Sequence, residues 1–137
     1  MDDSKHILIP AKFISIMLHL IATTMLFFSY QDNIKAAYPN LTSMSETDYI
    51  GGRTSFLAAN SLTVIGLFTE LVMLFVGENL FKEKHSLLVS TIHYVGAILY
   101  ISYGFQMWQF SSLWALWAIF SLLPLGLEIL QIVMKAR

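Results

Sequence analysis

The stretch FTELVMLFVG, residues 68–77, sets one carboxylate, Glu70, inside an otherwise apolar run. A charged side chain at the centre of a membrane-spanning helix costs roughly 2.5–3.5 kcal/mol. How Glu70 is accommodated depends on whether this run lies in a membrane. Composition says that it does. Of the 137 residues 56% are hydrophobic and only 12% charged, and mean hydropathy is +0.65. A soluble domain carries about 25% charged residues, so this chain lacks the polar surface to cover a core in water. Lipid is the better solvent for it.

Three more runs resemble the one around Glu70. The apolar segments fall at about 12–30, 54–76, 86–105 and 113–134, joined by an outer loop over 31–53 and two short connections. Each is near the ~20 residues that cross a ~30 Å hydrocarbon core as an α-helix, which satisfies its own backbone hydrogen bonds where lipid cannot. The runs are continuous and do not alternate, which argues against a β-barrel. The expectation is an all-α protein: one four-helix transmembrane bundle over residues 1–137, with no detached soluble domain.

Lys and Arg set the orientation. Lys5, Lys12, Lys82, Lys84, Lys135 and Arg137 fall on one side if the spans alternate, against Lys35 and Arg53 on the other. The positive-inside rule then places both termini in the cytoplasm. Asn40-Leu41-Thr42 in the outer loop is an N-glycosylation sequon, consistent with a lumenal loop. Tyr30, Tyr100, Tyr103, Trp108, Trp114 and Trp117 gather toward the same side, where ring residues favour the headgroup level. The first span is too long for the apolar region of a signal peptide and reads as retained. With a net charge of −1, nothing points to nucleic acid. The absence of cysteine removes disulfides, thiolate ligands and a thiol nucleophile.

Counted from the cytoplasmic end of each span, four ionisable groups share one depth. His19 lies seven residues past Lys12, Glu70 seven before Gly77, His93 seven past Ser86, and Glu128 seven before Lys135. At 1.5 Å per residue each sits about 10 Å inside the boundary. Helical steps place them on polar stripes: Lys12, Ser15, His19 and Thr23; Ala59, Thr63, Gly66, Glu70 and Gly77; Ser86, Ser90, His93, Gly96, Tyr100 and Gly104; Ser121, Pro124, Glu128, Gln131 and Lys135. Small and polar residues are what membrane helices set against one another, so these stripes face inward. Gly66, Gly96, Gly104 and Pro124 mark the expected packing seam, with Pro124 kinking the last span.

Glu70 is then a buried carboxyl among other polar groups rather than a charge in lipid. It is either a neutral donor or shares a proton with a neighbouring histidine. The layer fits three roles: fixing helix register, carrying protons as part of a small proton-coupled transporter or channel subunit, or forming the metal or substrate site of an intramembrane metal-dependent enzyme. The Glu-x-x-His and HExxH signatures of metal sites are absent from the sequence. No catalytic, cofactor-binding or metal-ligating residue is assigned.

The order of several short elements resembles a known family. Pro10, Lys12 and Phe13 open the chain, His19 follows in the first span, and Asn33, Ile34 and Ala36 precede Pro39. SLTVIGLFTELVMLFVG falls in the second span, His93 lies early in the third, and Leu123, Pro124 and Glu128 lie in the fourth. With four spans and this order, the chain resembles the transmembrane protein 107 family. That resemblance implies a non-enzymatic scaffold of the ciliary transition zone, in the Meckel-syndrome module. Its implied partners are tectonic-like membrane proteins, C2/B9-domain proteins and the lipid bilayer. Its implied roles are gate assembly, control of ciliary membrane composition, ciliogenesis and Hedgehog signalling. The resemblance supplies no role for His19, Glu70, His93 or Glu128.

Overall fold

A computed structural model of the chain describes residues 3–38, 44–76 and 83–135. Four helical spans are present, all long and apolar enough to cross a membrane. They are α1 (Asp3–Lys35), α2 (Glu46–Val76), α3 (Glu83–Gln106) and a composite fourth span. The fourth runs as α4 (Ser112–Trp117), a π-helical turn (Ala118–Leu122) and α5 (Leu123–Lys135). α1 packs against α2 and α3, and the fourth span packs against the same two helices from the opposite chain end.

The distribution of side chains inverts that of a soluble protein. Phe28 is 88% exposed and Phe105 84%, while Lys12, Glu70, His93 and Glu128 are all 2% exposed or less. In water an apolar coat of this extent would drive association. In lipid it is the favourable face, and the polar groups turn inward to find partners. Two apolar clusters flank the polar interior. Leu26, Phe56, Tyr100, Tyr103 and Leu113 form one, and Ile16, Leu67 and Leu74 the other. Tyr100 and Tyr103 are fully buried, so they belong to the core rather than to a headgroup belt.

The expected outer loop over 31–53 is much shorter. α1 continues to Lys35 and α2 begins at Glu46, so helix replaces loop at both ends. Hydropathy follows the apolar thickness of the bilayer, whereas a helix continues until its cap. At the start of α2 that cap is explicit in the run SETD, residues 45–48. The Asp48 amide donates to Ser45 Oγ at 3.1 Å, and the Ser45 amide donates to Asp48 Oδ2 at 3.2 Å. This reciprocal exchange is a capping box, with Asp in the place usually held by Glu. The sequon at Asn40 and the greater part of the GENLFKEKH connection lie outside the described residues.

Pro124 accounts for the irregular fourth span. It has no amide hydrogen, and its ring crowds the carbonyl four residues earlier, at Phe120. The helix widens just before it: the Leu123 amide donates to Ala118 O, a π-type step. The widened turn carries Ser121, which is buried against α2.

The turn from α3 to α4 closes with Met107 at φ 52°, the only non-glycine residue with positive φ among the described residues. The Trp108 amide donates back to Tyr103 O at 3.4 Å, and the Trp108 and Tyr103 rings meet edge-on at 6.1 Å. Together these form a Schellman ending, whose left-handed position favours glycine. Met107→Gly is expected to stabilise the protein by about 1 kcal/mol, because a side chain in the left-handed region costs about that much. Denaturant unfolding of purified protein in detergent checks it; a lowered midpoint counts against the assignment.

Candidate functional site

The inward stripes bring their ionisable groups together in two linked clusters. In the first, three helices contribute one group each. His19 of α1 and His93 of α3 meet Nδ1 to Nδ1 at 3.1 Å, and His93 Nε2 lies 2.6 Å from Glu70 Oε2 of α2. In the second, Glu128 of α5 pairs with Lys12 of α1, and His85 of α3 lies 3.2 Å from the same carboxylate oxygen. Lys12 and Glu128 lie within electrostatic range of Glu70, so the two clusters form one polar region.

Each position follows from helical spacing. On α3 the steps 85, 89, 93, 97 and 100 keep one stripe turned inward, and Val89, His93, Ala97 and Tyr100 along it are fully or almost fully buried. On α2 the stripe runs through Phe56, Ala59, Thr63, Gly66, Leu67 and Glu70. Hydroxyls extend the polar interior toward the turn end of the bundle. Thr63 Oγ1 and Tyr100 OH lie 3.0 Å apart, and Asn60 Nδ2 donates to the Thr23 carbonyl at 3.1 Å. Asn33 Nδ2 donates to the carbonyls of Tyr103 and Trp108, tying the end of α1 to the α3–α4 turn.

The glycines of the seam make the approaches that larger residues would block. A Cβ on Gly66 would stand 2.6 Å from Ser121 Oγ, and one on Gly104 3.0 Å from Leu26 Cδ2. At Gly96 it would stand 2.9 Å from His19 Cε1 and 3.1 Å from Phe120 Cβ. Gly96 thus makes room for the His19 imidazole between α3 and the π turn. Pro124 is buried on the same interior side.

Spacing alone did not single out His85 or Asn60. His85 stands one residue before the segment expected at 86, yet it belongs to the stripe through His93 once α3 starts at Glu83. Asn60 lies one turn before Thr63, and an amide in the middle of an apolar run was the available signal. Among the described residues no three His, Asp or Glu side chains are placed to hold one metal ion. An apolar groove of about 180 Å³ between α1 and α3 is lined by Ala22, Met25, Leu26, Ser29, Gly104 and Phe105 among others, and none of His19, Glu70, His93 or Glu128 lines it.

Two sets of variants test this packing. Gly96→Ala is expected to destabilise the bundle by about 1–3 kcal/mol, the usual cost of overfilling a packed interior. Gly51→Ala and Gly126→Ala, where nothing lies within 4 Å of the added Cβ, are expected to be neutral or slightly stabilising; equal losses at all three sites would refute the seam. Glu128→Leu leaves the Lys12 ammonium buried without its carboxylate and is expected to cost about 3–5 kcal/mol. Adding Lys12→Met to Glu128→Leu is expected to recover part of that loss in the same unfolding assay.

The sequence of this bundle matches known proteins along nearly its whole length. The TMEM107 family model, described as a transmembrane protein, matches residues 8–132. Transmembrane protein 107 of Homo sapiens is 30% identical over 118 residues, covering 85% of this chain and 82% of the relative. The rat protein of that name is 29% identical over the same shares, and that of Danio rerio 25% identical over 122 residues, 89% of each chain. No solved structure matches the chain. With its four spans inside the matched region, the chain belongs to the transmembrane protein 107 family.

Proposed function

We propose that this protein is a non-enzymatic membrane scaffold of the ciliary transition zone. In this reading it works in the Meckel-syndrome module with tectonic-like membrane proteins and C2/B9-domain proteins, and it supports gate assembly, ciliary membrane composition, ciliogenesis and Hedgehog signalling. The observation that carries the reading is the family match over residues 8–132, which takes in the greater part of every span. The bundle is suited to such a role. Its ionisable groups bind one another across helices and hold the spans in register. Its apolar coat is free for lateral contact within the bilayer. In this reading both termini lie in the cytoplasm, where the basic residues of the chain ends and those around the start of α3 meet soluble partners, and the Asn40 sequon, a candidate glycosylation acceptor, lies on the other side.

A tagged copy expressed in a ciliated cell tests this. The wild-type chain is expected to concentrate at the ciliary base with transition-zone markers. Glu128→Leu, which breaks the buried ion pair, is expected to lose that enrichment and to recover fewer membrane partners on affinity purification. A diffuse endomembrane or plasma-membrane pattern for the wild-type chain would overturn the assignment.

A further inference from the structure

We propose that Glu70, His93 and His19 form an intramembrane proton relay, a chain whose two unpartnered ends take up and release a proton. This goes beyond the scaffold reading and does not depend on it. Three features carry it. The groups are buried to 1% exposure or less on three different helices. They are joined in series, Glu70 Oε2 to His93 Nε2 and His93 Nδ1 to His19 Nδ1. The two atoms at the ends of that series, Glu70 Oε1 and His19 Nε2, are buried and have no hydrogen-bond partner.

This connectivity limits where the protons can sit. In a lipid-embedded interior the neutral chain is favoured over one with net charge. One carboxyl and two imidazoles are neutral with three protons between them. Each of the two hydrogen bonds holds one proton. The third must sit on an end atom, and with each group individually neutral only two arrangements satisfy every bond. In one, Glu70 donates Oε2–H to His93 Nε2, His93 donates Nδ1–H to His19 Nδ1, and His19 carries its remaining proton on Nε2. In the other, Glu70 carries its proton on Oε1, His93 donates Nε2–H to Glu70 Oε2, and His19 donates Nδ1–H to His93 Nδ1.

The two arrangements interconvert when a hydronium ion reaching the site gives a proton to Glu70 Oε1. The Oε2 proton passes to His93 Nε2, the His93 Nδ1 proton passes to His19 Nδ1, and the His19 Nε2 proton passes to a second water. Each bond broken is matched by one formed, and the charge of the chain is the same before and after. The atoms left without partners in the static structure are the two at which this transfer begins and ends. The two ends differ in their surroundings. Toward Glu70 stand Lys12 of α1 and Glu128 of α5, which act on it electrostatically. Ser90, one turn before His93 on α3, presents a further unpartnered buried hydroxyl. At the other end His19 packs edge-on against Tyr100 at 4.9 Å and beside Gly96 and Phe120. Three or more ligands converging on one point would indicate a metal instead, and no such group is present among the described residues.

Nitrogen-15 NMR of the histidine side chains tests the relay in the whole chain reconstituted in lipid vesicles, with His19 and His93 assigned by the signals lost in His19→Asn and His93→Asn. Both rings are expected to show two neutral tautomers in exchange, with a scalar coupling across the Nδ1–Nδ1 bond. Glu70→Gln keeps a hydrogen-bonding group but has no acid proton to pass on, so the second tautomer of each ring is expected to disappear. A single fixed tautomer on each ring in the wild-type chain overturns the relay, and so does exchange that persists in Glu70→Gln. If Glu70→Gln does not fold, the wild-type spectrum alone decides.

Discussion

Lipid offers no hydrogen bonds, and the architecture follows from that constraint. Every polar side chain placed within a span must find its partner inside the bundle or leave an unsatisfied group in hydrocarbon. The pairing of Lys12 with Glu128, and of Glu70 with His93, is the consequence. Because these groups come from different helices, satisfying them fixes which helices meet, at what height and in what rotation. The hydrophobic effect does not drive helices together within a bilayer, since lipid tails are as apolar as leucine. Close packing and polar contact must do it, which is why glycines stand opposite His19, Ser121 and Leu26.

The sequence reveals this arrangement to the extent that it is periodic. Four apolar runs specify four spans, and three- and four-residue steps specify their inward faces. Common depth, counted from the span ends, leads to the expectation of one layer for His19, Glu70, His93 and Glu128; the structure joins the first three in a hydrogen-bonded series but pairs Glu128 with Lys12 and His85, seven and eight residues along their helices from His19 and His93. Hydropathy measures membrane thickness and not helix length, so the first turns of α2 lay hidden although the Ser45–Asp48 box was written in the sequence. Starting α3 too late placed His85 outside the stripe on which it sits. Which helix neighbours which depends on pairings between segments far apart in the chain, such as Lys12 with Glu128, and no local pattern encodes them.

The irregular features serve the same interior. The π turn before Pro124 relieves the clash that proline imposes, and it delivers Ser121 to Gly66 and Phe120 to the edge of Gly96. At the other end Asn33 donates to two carbonyls of the α3–α4 turn, where Met107 accepts a backbone conformation better suited to glycine. A turn near the membrane surface can tolerate that cost because Asn33, the Tyr103–Trp108 ring contact and the Tyr103 hydroxyl bond to Gln109 O all hold it in place.

The two polar clusters differ in what each can absorb. The ion pair between Lys12 and Glu128 joins the first and last spans and depends on both charges being present; without one, the other is stranded in a medium that does not solvate it. The chain from Glu70 through His93 to His19 joins the first three spans and can relocate protons without acquiring net charge. It therefore keeps its cross-links in either of two arrangements of its protons. The first cluster acts as a fixed staple, whereas the second holds the helices together while its proton positions change. A bundle that had only to be rigid could have used a second ion pair or an apolar contact at that depth. The placement of two imidazoles in series with a carboxyl, with an unpartnered atom at each end, is the feature on which the proposed relay rests, and packing alone does not require it.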